Sequence, residues 1–235
     1  MEPMTLAIAG VAALAILLIA TLGAGLVLIT STETLIAANF RTSSEVFYAA
    51  DAVVGRAIVD LRTEPEWSRV LDGTARSAFV DGPPSGTRRL PDGGRVDLSA
   101  VINMANCGRT APCSLAEMAE VRGARPWGAN NPNWRLFAYG WLDDLLEGAP
   151  RGSLCYVVAM VGDDGSENDG DPLRDGFRIG VLPNPGAGVL LVRAEAFGPR
   201  ASHYAIEAVI QHFSMDESDP ASPVGLRLRS WHVVH

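Results

Sequence analysis

The sequence contains no lysine, and its 19 basic residues, all arginine, are outnumbered by 27 acidic residues. The net charge is −8 at neutral pH. A protein that binds nucleic acid usually presents a basic patch or stripe to the phosphates. No run of basic residues is present here, so we expect no nucleic-acid partner.

Catalytic and nucleotide-binding motifs are also lacking. No Ser or Cys lies in a nucleophile motif such as GxSxG, and the two GAG triplets, at Gly23 and Gly186, lack the full glycine fingerprint of a dinucleotide site. His203 and His212 fall in one predicted strand at odd spacing, so they should face opposite sides of it. We predict that the protein is not an enzyme. All four histidines lie near the C-terminus: His203, His212, His232 and His235.

Cysteine is scarce, and none of the three cysteines has the CxxC or Cys/His spacing of a zinc site. Cys107 and Cys113 close the short loop CGRTAPC, in which a proline precedes the second cysteine. We predict a disulfide between them if this part of the chain lies outside the cytosol. Cys155 falls in the strand-like segment SLCYVVAMV, where a buried free thiol is expected.

Charge is absent from residues 6–30, a run of 25 residues. At about 1.5 Å per helical residue this run can cross a hydrocarbon core of about 30 Å, so we predict a transmembrane segment. A cleaved secretory signal is the alternative. The run is longer than an ordinary signal core, however, and no basic residue precedes it, the first being Arg41.

An amphipathic segment follows, and no proline interrupts it before Pro65. Because Glu64 precedes that proline, we predict one helix from Met4 to Leu61 or Arg62. Spacings of three, four and seven give the helix an apolar stripe that must be buried against another part of the protein. The stripe contains Ile36, Phe40, Phe47, Ala50, Val54, Ile58 and Leu61.

The chain therefore divides into an N-terminal helix, 1–62, and a β-rich globular domain, 63–235, which holds most of the glycine and proline. Strands are predicted at 153–161, 188–196, 202–213 and 225–234, with a turn at AFGPRAS. A further strand is predicted at 95–103 and a helix at 136–146. The predicted class is α+β, with the helix packed on an antiparallel sheet.

An acidic loop, DDGSENDGDPLRD, spans 163–175. Oxygen donors at this density can hold Ca²⁺, although the spacing does not follow the EF-hand pattern, which would need glycine at Asp169. A solvated acidic loop is the alternative. We expect no cofactor other than this calcium ion. Its candidate ligands are Asp163, Asp164, Asn168, Asp169 and Asp171.

Residues 31–61, STETLIAANFRTSSEVFYAADAVVGRAIVDL, resemble the N-terminal region of the PilX family of type IV pilus assembly proteins. Members carry a Glu after the apolar run, an IAANF-like stretch, and an aromatic residue followed by AA, an acid and A. These features correspond here to Glu33, 36–40 and 47–52. The segments YVVAMVGDDGSENDGDPLRDG, NPGAGVLLVRAEAFGPR and RLRSWHVV are similar to segments in the C-terminal half of such proteins.

Two features differ from the usual pilin pattern. A prepilin starts with a short basic leader ending in Gly, which residues 1–5 do not provide, so we expect either a start upstream of Met1 or a sequence that is not the precursor. Major pilins also carry a glutamate inside the apolar segment, and none lies between Leu6 and Thr32. The chain therefore resembles a minor or tip component more than a major pilin.

The resemblance implies a pilin-like fold and a minor pilin that primes or caps a type IV pilus. Its implied partners are other minor pilins, the major pilin and a PilY-class tip adhesin. Its implied location is the inner membrane, with a periplasmic C-terminal domain, and later the pilus tip at the cell surface. The alternatives are a bitopic membrane-anchored periplasmic binding domain and a type II secretion tip pseudopilin. The implied assembly face contains Glu33, Ile36, Phe40, Phe47, Val54, Ile58 and Leu61.

Overall fold

The computed structural model describes residues 3–123, 125–145, 152–167, 170–176, 186–214 and 224–234. The chain forms two compact units, Met1–Ser43 and Ser44–His235. The predicted α+β class is confirmed, since a long N-terminal helix precedes an antiparallel sheet.

The first helix, α1, comprises Pro3–Thr63 and ends within two residues of the predicted position. Its last turn is closed by polar contacts to backbone carbonyls. The Thr63 hydroxyl donates to the carbonyl of Asp60 at 2.8 Å, and the Trp67 indole Nε1 donates to the carbonyl of Leu61 at 3.3 Å. These bonds, together with the bond from Glu64 N to the carbonyl of Leu61 at 3.3 Å, give partners to carbonyls at the end of the helix.

Within the second unit, the 44–63 part of α1 buries one face against the sheet. The buried residues are spaced by threes and fours, as expected for one face of a helix. Three of them are alanines, whose small side chains allow close approach to the sheet. The buried face contains Val46, Ala49, Ala50, Val53, Val54, Ala57 and Leu61.

The main sheet has five antiparallel strands in the order β3-β4-β5-β6-β7. The four strands predicted from the sequence, β4 to β7, are confirmed with bounds that shift by a few residues. The strands are β3 (Arg135–Trp141), β4 (Tyr156–Asp163), β5 (Val189–Phe197), β6 (His203–Ser214) and β7 (Val224–Val234).

Two local predictions were wrong. The strand predicted at 95–103 is a short strand, β2 (Arg95–Asp97), followed by a helix, α3 (Leu98–Cys107). The Asp97 side chain accepts a hydrogen bond from Ala100 N at 2.9 Å and so caps the helix. The helix predicted at 136–146 is mostly strand β3, whose Phe, Tyr and Trp residues favour a sheet. It is followed by a short helix, α5 (Leu142–Leu145).

A second core lies on the sheet face opposite α1. It is built from β3 and β4, from α3, and from the two-stranded ribbon of β1 (Thr87–Arg89) and β2. The remaining short elements are α2 (Ser68–Leu71), α4 (Leu115–Met118) and 3-10 turns at Gly128–Asn130 and Pro199–Ala201. The buried residues of this second core are Leu90, Val96, Leu98, Val101, Trp134, Leu136, Tyr139, Tyr156, Val158 and Met160.

Candidate assembly surfaces

The first unit presents an apolar surface. Among the described residues, one helix is long and apolar enough to cross a membrane, and it lies near the N-terminus. Its large side chains are exposed around the helix, as at Leu14, Ile19 and Leu28, which are 68%, 69% and 70% exposed. A helix that is apolar on all sides is suited to lipid or to contact with other apolar helices.

Five hydroxyl groups of the first unit donate within the helix itself. Thr30 and Ser31 donate to the carbonyls of Leu26 and Val27 at 2.9 and 2.8 Å. Thr21, Thr32 and Thr34 make equivalent bonds. Because each hydroxyl donates inside its own helix, these residues add no unmet donor in an apolar environment.

The predicted assembly face is divided between the two units. In the first unit Glu33, Ile36 and Phe40 are exposed, with Ile36 at 63% and Phe40 at 74%. In the second unit Val54 and Leu61 are buried in the core, and Phe47 and Ile58 are partly buried against it. The first group is accessible to other molecules, whereas the second already packs within its own unit.

Four buried helix residues lie outside the predicted apolar stripe: Val46, Ala49, Val53 and Ala57. Their spacing in the sequence could have identified them, because positions 46, 50, 53, 57 and 61 follow the spacing of a helical face. The predicted stripe was centred instead on the larger aromatic residues, Phe40 and Phe47.

The two edges of the main sheet differ. Backbone bonds from residues 77–81 cover the outer edge of β3: Tyr139 N donates to Phe79 O at 3.0 Å, and Asp81 N donates to Tyr139 O at 2.9 Å. The Ser77 hydroxyl contacts the carboxylate of Asp60 and holds this segment near α1. At the other end of the sheet, no strand in the described part of the chain pairs with the outer side of β7.

Strand β7 has an apolar side and a basic side. Leu228 and Trp231 lie opposite the core residues Ile210 and Ala208 and so face the α1 side, where they are 51% and 38% exposed. Arg227 and His232 lie opposite Gln211 and Glu207 on the other face. Arg229 is the extra residue at an irregularity in the register, and it is also exposed.

Aromatic rings connect α1 to the last two strands. The ring of Phe47 makes edge-to-face contacts with Tyr48, Tyr204 and Trp231, at centroid distances of 5.3, 5.7 and 5.9 Å. This geometry is favourable for aromatic pairs. Tyr48 is 67% exposed, so one side of the cluster is open to solvent.

A charged cluster lies on the sheet face opposite α1. The Arg193 guanidinium lies 2.7 Å from both Glu195 and Glu207, and His203 Nε2 lies 3.0 Å from Glu195 Oε2. Burial alone would raise the pKa of Glu195, but the hydrogen bond from His203 and the charge of Arg193 outweigh it and lower that pKa. Both glutamates of the cluster are therefore paired with Arg193, on the sheet face beside β7.

His203 and His212 lie on opposite faces of β6, as their odd spacing predicted. His203 belongs to the charged cluster, whereas His212 is buried and stacks on Trp67. The two rings have separate surroundings and do not form a common site.

The predicted disulfide is confirmed: Cys107 and Cys113 are bonded, with their Cα atoms 6.2 Å apart. Gly108, with φ of 70°, ends α3 in a left-handed conformation that glycine adopts without strain. The bond thus closes the loop directly after α3. Cys155 is free and buried, and burial raises the pKa of its thiol.

The acidic loop is only partly described, since Asn168 and Asp169 lie outside the described residues. Asp163 is buried, and the Asp164 carboxylate accepts bonds from the Ser166 amide and hydroxyl at 3.3 and 2.7 Å. Asp171 accepts a bond from Leu173 N at 3.1 Å. The described residues contain no group of three or more acidic, His or Cys side chains able to hold a metal. Calcium binding stays a prediction.

The described residues define a class of protein: an α+β protein with an N-terminal helix able to span a membrane. Comparison with family models, with curated proteins and with solved structures gives no match to this chain.

Proposed function

We propose that the protein is a minor pilin of the PilX type, which primes or caps the assembly of a type IV pilus. The supporting observation is the change of character along α1. Its side chains in the first unit are apolar and exposed, whereas its 44–63 part buries one face in the core of the second unit. A pilin needs both properties. The exposed apolar surface contacts lipid or neighbouring helices, and the buried face anchors the helix to its own head domain.

Before assembly, the first unit lies in the inner membrane and the second lies in the periplasm. The disulfide between Cys107 and Cys113 supports this location, because disulfides persist in oxidising compartments outside the cytosol.

During assembly, the apolar helix leaves the lipid and packs among the helices of other minor pilins and the major pilin. Gly10, Gly23 and Gly25 have open space where a Cβ would lie, and small residues at such positions allow close packing between helices. Since no carboxylate lies between Leu6 and Thr32, we assign the subunit to the tip, beside a PilY-class adhesin.

The proposal can be tested by deleting the gene in the native host and counting surface pili by electron microscopy. Few or no pili are expected, with recovery when the wild-type gene is restored. Tagged protein purified in mild detergent should also co-purify other minor pilins.

The assembly face can be tested with matched double variants. Ile36→Glu with Phe40→Glu places two charges on the exposed apolar face of the first unit and should abolish co-purification. The control, Leu115→Glu with Val121→Glu, makes the same change at two apolar positions of the second unit that are 81% and 66% exposed. It should retain the minor pilins.

Other results would favour the alternatives. Normal piliation in the deletion strain, with a membrane-bound protein that captures no pilin, would indicate a bitopic protein with a periplasmic binding domain. Co-purification with secretion pseudopilins instead of minor pilins would indicate a type II secretion tip.

A further inference from the structure

The outer edge of β7 is a candidate binding site for an extended segment of another protein. An edge strand presents a row of unpaired backbone donors and acceptors, and a second chain can add a strand there. The β3 edge is closed to such addition because residues 77–81 cover it. The β7 edge spans 11 residues and has no paired strand on its outer side among the described residues.

The side chains of β7 indicate which chemistry an added strand would need. On the α1 side, the exposed parts of Leu228 and Trp231 would be covered by apolar side chains. On the other side, Arg227 is exposed, and its guanidinium donates to the neutral Gln211 Oε1 on β6 at 3.0 and 2.7 Å, which leaves its charge without a counter-charge among the described residues. Arg229, at the register irregularity, is also exposed. Acidic side chains at alternate positions of an added strand would reach these guanidinium groups.

A second copy of this chain is a poorer match for the same edge. Strand β7 contains two arginines and one histidine but no acidic residue. Two copies paired through β7 would therefore bring four arginines to one seam without a counter-charge, and like charges on paired strands are destabilising.

We propose that β7 binds, by strand addition, a partner segment in which apolar residues alternate with acidic residues. The inference goes beyond the proposed function, because it depends on the edge geometry and charge of the second unit and holds whether or not the chain enters a pilus.

The test uses the full-length protein in detergent and a synthetic peptide of about nine residues, the length of an ordinary strand. The peptide alternates Val with Glu, and a matched peptide carries Lys in place of Glu. Binding is measured by fluorescence anisotropy up to millimolar peptide, and the binding site by amide hydrogen exchange. We expect the Glu peptide to bind about 10-fold more tightly than the Lys peptide and to protect the amides of β7.

Charge reversal provides the specific control. Arg227→Glu with Arg229→Glu should reverse the preference, so that the Lys peptide binds more tightly. Arg89→Glu with Arg95→Glu makes the same change in charge at two exposed, paired positions of the β1–β2 ribbon and should keep the preference for the Glu peptide.

Three results would overturn the proposal. The first is slow exchange in the free protein, equal to that in β5, at the β7 amides that do not pair with β6, because the edge would then already be covered. The second is equal affinity for the two peptides, or no binding of either. The third is peptide protection that falls outside β7. None of these readouts depends on pilus assembly, so their failure leaves the proposed function unaffected.

Discussion

The Trp67 indole and the His212 imidazole stack with their centroids 3.5 Å apart and their planes inclined by 24°. The residues are 1% and 8% exposed. Trp67 also donates to the carbonyl of Leu61 at the end of α1, so the stack joins the helix end to β6 within the second unit. Burial lowers the pKa of His212 to about 4.

The lowered pKa of His212 predicts a loss of stability in mild acid. Unfolding exposes this histidine to water, where its pKa returns to about 6.5, so the unfolded state gains a proton before the folded state does. Below about pH 6.5 the free energy of unfolding should therefore fall, by at most about 1.4 kcal/mol per pH unit, until about pH 4. Urea titrations followed by tryptophan fluorescence at several pH values measure this slope.

His212→Phe keeps a ring beside Trp67 but cannot accept a proton. The free energy of unfolding of this variant should therefore fall less steeply with pH over the same range. Val70→Ala is the control, because Val70 is buried in the same core and has no titratable group. Its free energy of unfolding should be lower, but the dependence of that free energy on pH should match that of the wild type. Equal slopes for the wild type and His212→Phe would contradict the prediction.

Because α1 packs on the sheet, alanine substitutions at two nearby helix residues should differ greatly in their effect on the free energy of unfolding. Leu61 is fully buried, whereas Val59 is 57% exposed. Leu61→Ala removes buried methyl groups and leaves a cavity, so it should lower the free energy of unfolding by about 2–5 kcal/mol. Val59→Ala should change it by less than about 0.5 kcal/mol. Similar losses in the two variants would show that this face of the helix is not packed.

Much of the fold was predictable from local signals. The apolar run and the late proline defined α1, and runs of β-branched and aromatic residues defined β4 to β7. The segment 98–107 was misassigned because Val101 and Ile102 favour a strand by propensity. The cap from the adjacent Asp97 and packing on the sheet face opposite α1 make it a helix instead. The cap is a local contact, whereas the packing comes from residues distant in the sequence.

The candidate surfaces were less predictable. The sequence contains the β7 strand, but it does not show which edge of the sheet stays uncovered. That depends on residues 77–81 lying beside β3, a contact between segments about 60 residues apart. The charged cluster is likewise assembled from separate strands, since Arg193 and Glu207 meet only through the pairing of β5 with β6.

The disulfide predicts a stability that depends on redox conditions. It closes a short loop after α3, and a loop of this size should stabilise the folded state by about 2 kcal/mol. Cys107→Ser with Cys113→Ser should lose this amount in urea titrations. A reductant should lower the stability of the wild type toward that of the variant and leave the variant unchanged. A wild type insensitive to reductant would contradict the assignment.

A last prediction concerns the close approach of α1 to the turn between β5 and β6. A Cβ added at Gly198 would collide with Val46 Cγ2 and would lie 2.7 Å from Ser202 Oγ. Gly198→Ala should therefore destabilise the protein by about 1–3 kcal/mol, the usual effect of overpacking. Val46→Ala removes the colliding methyl group, so the double variant should lose less stability than the sum of the two single variants.

Gly55→Ala is the matched control on α1. Apart from the adjacent residues and the nearby backbone of the helix itself, no atom lies within 4 Å of a Cβ built at Gly55. Alanine in a helix interior is favoured over glycine by about 0.5–1 kcal/mol. The control should therefore raise stability by that amount. If the stability losses of Gly198→Ala and Val46→Ala simply add in the double variant, the helix and the turn are not in contact. Coupling between them, together with a stabilised Gly55→Ala variant, would confirm that α1 packs against the turn through Val46 while Gly55 faces open space.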